Sequence, residues 1–110
     1  MKLIYLCNGK SSLFDSQVLS LLSHYKRNNL FESIYLLFGY RNQADIDWIE
    51  RKNTEDISLV FYKTYPNYPL FNFRIRKNLY LACQGISKDF SCFFFHIRDE
   101  MISFHFKKMI

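Results

Sequence analysis

Two short polar segments hold the residues best suited to chemistry. The first is Asn8-Gly9-Lys10-Ser11-Ser12 and the second is His96-Ile97-Arg98-Asp99. Each follows an apolar run, so each stands where a buried strand gives way to a loop. In the first, the backbone N–H groups of a small turn, with the start of the next helix, can meet an anion or a sugar hydroxyl. A plain tight turn and helix cap account for the same residues equally well. In the second, a histidine at a strand end can act as a base or hydrogen-bond a hydroxyl. An arginine two positions on can clamp a phosphate through paired N–H groups. The competing account is a part-buried His96 bonded to backbone, with Arg98 paired to Asp99 or Glu100. The candidate substrate-binding residues are therefore Asn8, Gly9, Ser11, Ser12 and Arg98, with His96 as the candidate catalytic group.

Several familiar chemistries are excluded. Gly9-Lys10-Ser11 is not the end of a phosphate-binding P-loop, because Ile4 stands where that motif needs its first glycine. There is no GxGxxG fingerprint and no Ser-His-Asp order. No paired carboxylates follow the first apolar run, as a receiver-type module would require. Cys7, Cys83 and Cys92 are too far apart for a zinc site and odd in number, so free buried thiols in a reducing compartment are expected. Neither a metal nor a cofactor is implied. His24 and His105 read as surface or packing residues, and Trp48 as an anchor of its helix.

The elements that position these segments follow from periodicity. Residues 3–7 form a short apolar run ending at Asn8-Gly9, a buried strand and its turn. Phe14, Val18, Leu21, Leu22 and Tyr25 then share one helical face, with Ser12 and Asp15 as a capping signal and Lys26-Arg27-Asn28-Asn29 as a basic stop. Residues 33–38 form a second strand closed by Gly39. Asp45 opens a short helix carrying Ile46, Trp48 and Ile49, and residues 57–62 are a third strand. Pro66 and Pro69 bracket a loop that is neither helix nor central strand. Phe71, Ile75, Leu79 and Ala82 restore the helical stripe, with Gly85 as its natural cap. Residues 91–97 are the most apolar strand, and Asp99-Glu100 begin a last helix that ends basic at Lys107 and Lys108.

Strands that are continuous apolar runs, separated by amphipathic helices, predict an α/β domain with a parallel sheet covered on both faces. The expectation is a single domain over residues 1–110: a three-layer, Rossmann-like half with a four-stranded parallel sheet in the order 3-2-1-4. In that order the loops after the first and fourth strands meet where the strand order reverses, which is where ligands bind in such sheets.

Composition agrees with a globular chain: 49% hydrophobic and 23% charged. A net charge of +5 favours anionic partners without choosing among them. The apolar stretch at the N-terminus is shorter than a signal peptide needs, and no run is long enough to span a membrane. A cytoplasmic location is expected, compatible with a peripheral membrane contact. Arg74, Arg76 and Lys77 form a basic cluster near Tyr65, Tyr68 and Phe73. Such a cluster is most often a solvated face; resting against anionic lipid is the alternative. Nucleic acid is disfavoured, since no reader motif is present.

Two stretches carry a resemblance. A first strand running into a glycine turn, followed by Ser16-Gln17-Val18-Leu19-Ser20-Leu21-Leu22 in the first helix, resembles the start of GT-B-fold glycosyltransferases related to family 4. Phe93-Phe94-Phe95-His96-Ile97-Arg98 is similar to that family's hydrophobic strand ending in a His-x-Arg or His-x-His pattern. The resemblance implies the N-terminal, acceptor-side domain of an enzyme that transfers a sugar from a nucleotide-sugar to a glycan or lipid-linked acceptor. It implies that Asn8, Gly9 and Ser11 line a cleft, and that His96 and Arg98 face the acceptor or the donor phosphates. The donor-binding glutamate motif of the family's C-terminal domain has no counterpart here, so the expectation is a truncated chain, inactive without that domain. The alternative is a small Rossmann-like binding or interaction module without catalysis.

Overall fold

The computed structural model describes residues 2–7, 9, 10, 12, 14–65, 72–88 and 93–97, the side chains of 72, 73 and 93–97 excepted. The described elements are β1 (Lys2–Cys7), a π-helical segment (Phe14–Leu19) running directly into α1 (Ser20–Arg27), β2 (Ser33–Tyr40), α2 (Gln43–Lys52), β3 (Ser58–Lys63), α3 (Asn72–Ile86) and β4 (Phe93–Ile97). The strands lie in the order β3-β2-β1-β4, and every neighbouring pair is parallel. Cys7 is level with Phe38, Tyr40 with Lys63, and Leu6 with Ile97, so all four strands end along one carboxyl edge.

Alternation along the strands divides the core in two. Leu3, Tyr5 and Cys7 of β1, with Leu36 and Phe38 of β2, face the π-helical segment, α1 and α2 through Phe14, Val18, Leu22 and Ile49. Ile4 and Leu6, with Leu37 and Tyr62, face α3 through Leu79 and Cys83. Trp48 completes the first layer, edge-on to Phe14 at 5.3 Å and stacked on Phe38 at 6.1 Å between ring centres. Each fully buried large side chain contributes roughly 1.5–3 kcal/mol of apolar transfer free energy.

The strand order and parallel pairing are the expected 3-2-1-4, and three of the four expected strand–helix units fall among the described residues. The sheet whose described side chains carry helices on both faces is the parallel trio β1, β2 and β3. β4 is a strand of five residues beside β1, and no strand–helix unit is completed after it among the described residues. The helix expected from Asp99 lies outside the described residues.

Two helices differ from expectation. The first opens as a π-helix, a widened turn that keeps Phe14 and Val18, four residues apart, both against the sheet as the chain arrives from the β1 turn. α3 runs through Gly85 to Ile86, because Gly85 is exposed and its backbone is helical, with nothing within 4 Å of the place a Cβ would occupy.

Candidate functional site

The carboxyl edge gathers three loops. β1 ends at Cys7, whose thiol donates to the Gly9 carbonyl at 3.4 Å. Gly9 has φ +105°, a conformation that L side chains rarely adopt and glycine takes freely. Lys10 then reaches across to α2, its Nζ 3.3 Å from Asp45 Oδ1.

The β2–α2 loop is held at both ends. Asn42 caps α2, its Oδ1 accepting the Asp45 N–H at 3.2 Å. Asp45 returns the favour one residue further out, its Oδ2 accepting the Arg41 N–H at 2.9 Å. The Arg41 carbonyl accepts from Lys63 Nζ at the end of β3. Lys63 also lies over the Tyr40 ring at 5.3 Å and the Tyr65 ring at 6.0 Å. Arg41 is thus fixed through its backbone, while its exposed guanidinium has no hydrogen-bond or ion-pair partner among the described residues.

The third loop leaves β3 through Thr64, which is 5% exposed and donates its N–H to the Tyr40 carbonyl at 2.9 Å, extending the β2–β3 ladder. Asn78 of α3 donates to the Lys63 carbonyl at 3.0 Å. Gly9, Lys10, Gly39, Arg41, Asp45 and Thr64 together line a cavity of about 250 Å³. A second cavity of about 280 Å³ adjoins it through Lys10 and is walled by Ser12, Phe14, Asp15, Trp48 and Lys52. There Lys52 pairs with Asp15 at 2.9 Å and sits over Trp48 at 6.0 Å.

Asp45 is only 8% exposed. The Arg41 N–H holds its carboxyl below the ordinary value of 3.8; burial opposes this, and the Lys10 bond and charge reinforce it. A carboxylate so engaged is a structural anion and a poor proton acceptor. Cys83 is no nucleophile either, since burial pushes its thiol up to about 12. Among the described residues no group of three His, Cys, Asp or Glu side chains could hold a metal ion.

Of the residues singled out in the sequence, Gly9 lines the first cavity and Ser12 the second. His96 is next to last in β4, and its backbone pairs level with Tyr5, two residues before β1 ends. Asn8, Ser11 and Arg98 lie outside the described residues, as do Cys92 and His105. His24 is at the opposite edge, where its ring and carbonyl both meet the Asn28 side chain. Sequence reasoning missed Arg41, Asp45 as a member of the cavity, Lys63 and Thr64. The available signal was Gly39-Tyr40-Arg41-Asn42 before Asp45, a strand end passing straight into a helix cap. A larger cavity of about 360 Å³ lies at the amino edge between Lys26, Asn29, Glu32 and Asp56. In parallel sheets, ligands are received at the carboxyl edge.

No family model matches this chain, and no curated protein or solved structure does.

Proposed function

We propose that the chain is the acceptor-side, N-terminal domain of a glycosyltransferase, receiving a phosphorylated glycan or lipid-linked sugar at the carboxyl edge of its sheet. The observation that carries this reading is the convergence there of the Gly9 turn, the immobilised Arg41 loop and Thr64 on one cavity, with a guanidinium that none of the described residues engages. Arg41 and Lys10 supply positive charge for a phosphate, and Gly9 and Thr64 supply small polar groups for hydroxyls. In this reading His96, on the strand beside β1, serves as the base, and Arg98 and Ser11 bind substrate. Donor binding and transfer then belong to a second, nucleotide-sugar-binding domain. A cytoplasmic setting goes with the reading and is supported by the free thiols Cys7 and Cys83.

A non-catalytic binding module is favoured by one observation: the carboxylate of the cavity, Asp45, is already committed to Arg41 and Lys10. Titration of the labelled chain with a prenyl-phosphate-linked saccharide separates the readings. The acceptor-side reading expects amide shifts at Gly9, Lys10, Arg41 and Thr64, and binding weakened about 10–100-fold in Arg41→Ala, the worth of a charge-assisted bond. Shifts at the amino edge, or unchanged affinity in Arg41→Ala, would reject the site. Binding of the saccharide, without transfer when a nucleotide-sugar and a donor-binding domain are added, would leave the module.

A further inference from the structure

The charge of this chain is segregated. From residue 57 to residue 88 there is no Asp or Glu, while Lys63, Arg74, Arg76, Lys77 and Lys88 fall in that stretch. Their sum equals the whole net charge of +5, so the rest of the chain is neutral on balance. Nearly half of this acid-free stretch is α3, one side of which is spent on the core: Ile75, Leu79 and Cys83 are buried, the last two against the sheet.

The opposite side is built differently. Arg74, Lys77 and Leu81 are exposed, and their spacing of three and four residues aligns them on one outward stripe. Leu81 is 52% exposed and Tyr80, beside it, 37%. The Tyr80 hydroxyl accepts from Gln84 Nε2 at 2.9 Å, which orients the ring along the helix surface. Lys88 continues the exposed basic character just past the helix end.

We propose that the outward face of α3 docks on an anionic bilayer surface, with Arg74 and Lys77 meeting lipid phosphates and Leu81 and Tyr80 entering the headgroup region. Charge complementarity argues for an anionic partner. The apolar residue next to the cations argues for lipid over nucleic acid. A leucine set beside cations gains nothing from a phosphodiester backbone in water, but gains free energy at the boundary between headgroups and acyl chains. A tyrosine prefers the same boundary, and long basic side chains can keep their charge in the headgroups while their stems follow the apolar surface. Among the described residues no helix is long and apolar enough to cross a membrane, so the contact is peripheral. The inference does not depend on the glycosyltransferase reading.

The test is co-sedimentation of the full chain with phosphatidylcholine vesicles, with and without phosphatidylglycerol at about 30%. The chain should bind the anionic vesicles, ignore the neutral ones, and be released progressively by salt. One surface cation is worth roughly fivefold in partitioning, so the reversal Lys77→Glu should weaken binding about 25-fold. Arg51→Glu, the same change of charge on exposed α2, should have little effect. Leu81→Ser should weaken binding at high salt as well as low. All three positions are exposed, and circular dichroism verifies that the variants fold. Absence of binding to anionic vesicles overturns the proposal, as do equal losses in Lys77→Glu and Arg51→Glu. A duplex oligonucleotide that binds in place of vesicles, indifferent to Leu81→Ser, overturns it in favour of nucleic acid.

Discussion

Replacing Asp45 by Asn probes the clamp on which the carboxyl edge depends. The carboxylate accepts the Arg41 N–H, pairs with Lys10 and adds a negative charge to the first turn of α2. An asparagine keeps the shape and can still accept one N–H. What it loses is the charge. Turning a charge-assisted bond into a neutral one costs about 1 kcal/mol. The lost interaction with the helix dipole adds about 0.5 kcal/mol. The Lys10 pair, half exposed on the lysine side, adds no more than about 0.5 kcal/mol. The total is about 2 kcal/mol, which urea unfolding would show as a midpoint lowered by about 1–2 M.

The same argument fixes the pH dependence. The folded-state pKa of Asp45 is lowered, so its stabilising contribution is complete above the unfolded value and is lost as pH falls through the folded one. The stability gap between wild type and Asp45→Asn should therefore hold at neutral pH and close as pH drops below the ordinary 3.8. Midpoints measured at several pH values between about 7 and 2 decide the matter. A gap that persists unchanged at the acid end, or one below about 0.5 kcal/mol at neutral pH, would refute an electrostatic clamp and leave Asp45 as packing.

Two further outcomes rest on the same geometry. Gly9→Ala should destabilise by about 1–2 kcal/mol through its positive φ alone, because the added Cβ would meet the Gly39 carbonyl only at an ordinary 3.8 Å; an unchanged urea midpoint would disprove the strain. Cys83, buried and pushed up to about 12, should resist a thiol reagent in the native state near neutral pH and react only on opening, so rapid labelling without denaturant would contradict its burial.

Much of the local structure was legible in the residues. The apolar runs at 3–7, 33–38 and 57–62 correspond to β1, β2 and β3 within two residues at each end. Gly9 was legible as a turn because a glycine after a buried strand has few other uses. Gly85 was misread: an exposed glycine near a helix end looks like a cap, yet the helix continues past it. Apart from the strand end and helix cap around Arg41, nothing in the sequence marks Arg41 or Thr64 as cavity residues. Their membership comes from the register that sets Tyr40 level with Lys63 and brings both strand ends beside the Gly9 turn.

The amino-acid sequence by itself determined the α/β class and the faces of the helices, since both depend on the period at which apolar side chains recur along the chain. The tertiary structure alone decided that the first helix opens as a π-helix, and that Asp45 faces Lys10 and Arg41. Those outcomes depend on long-range pairing and packing, which no local pattern of residues encodes.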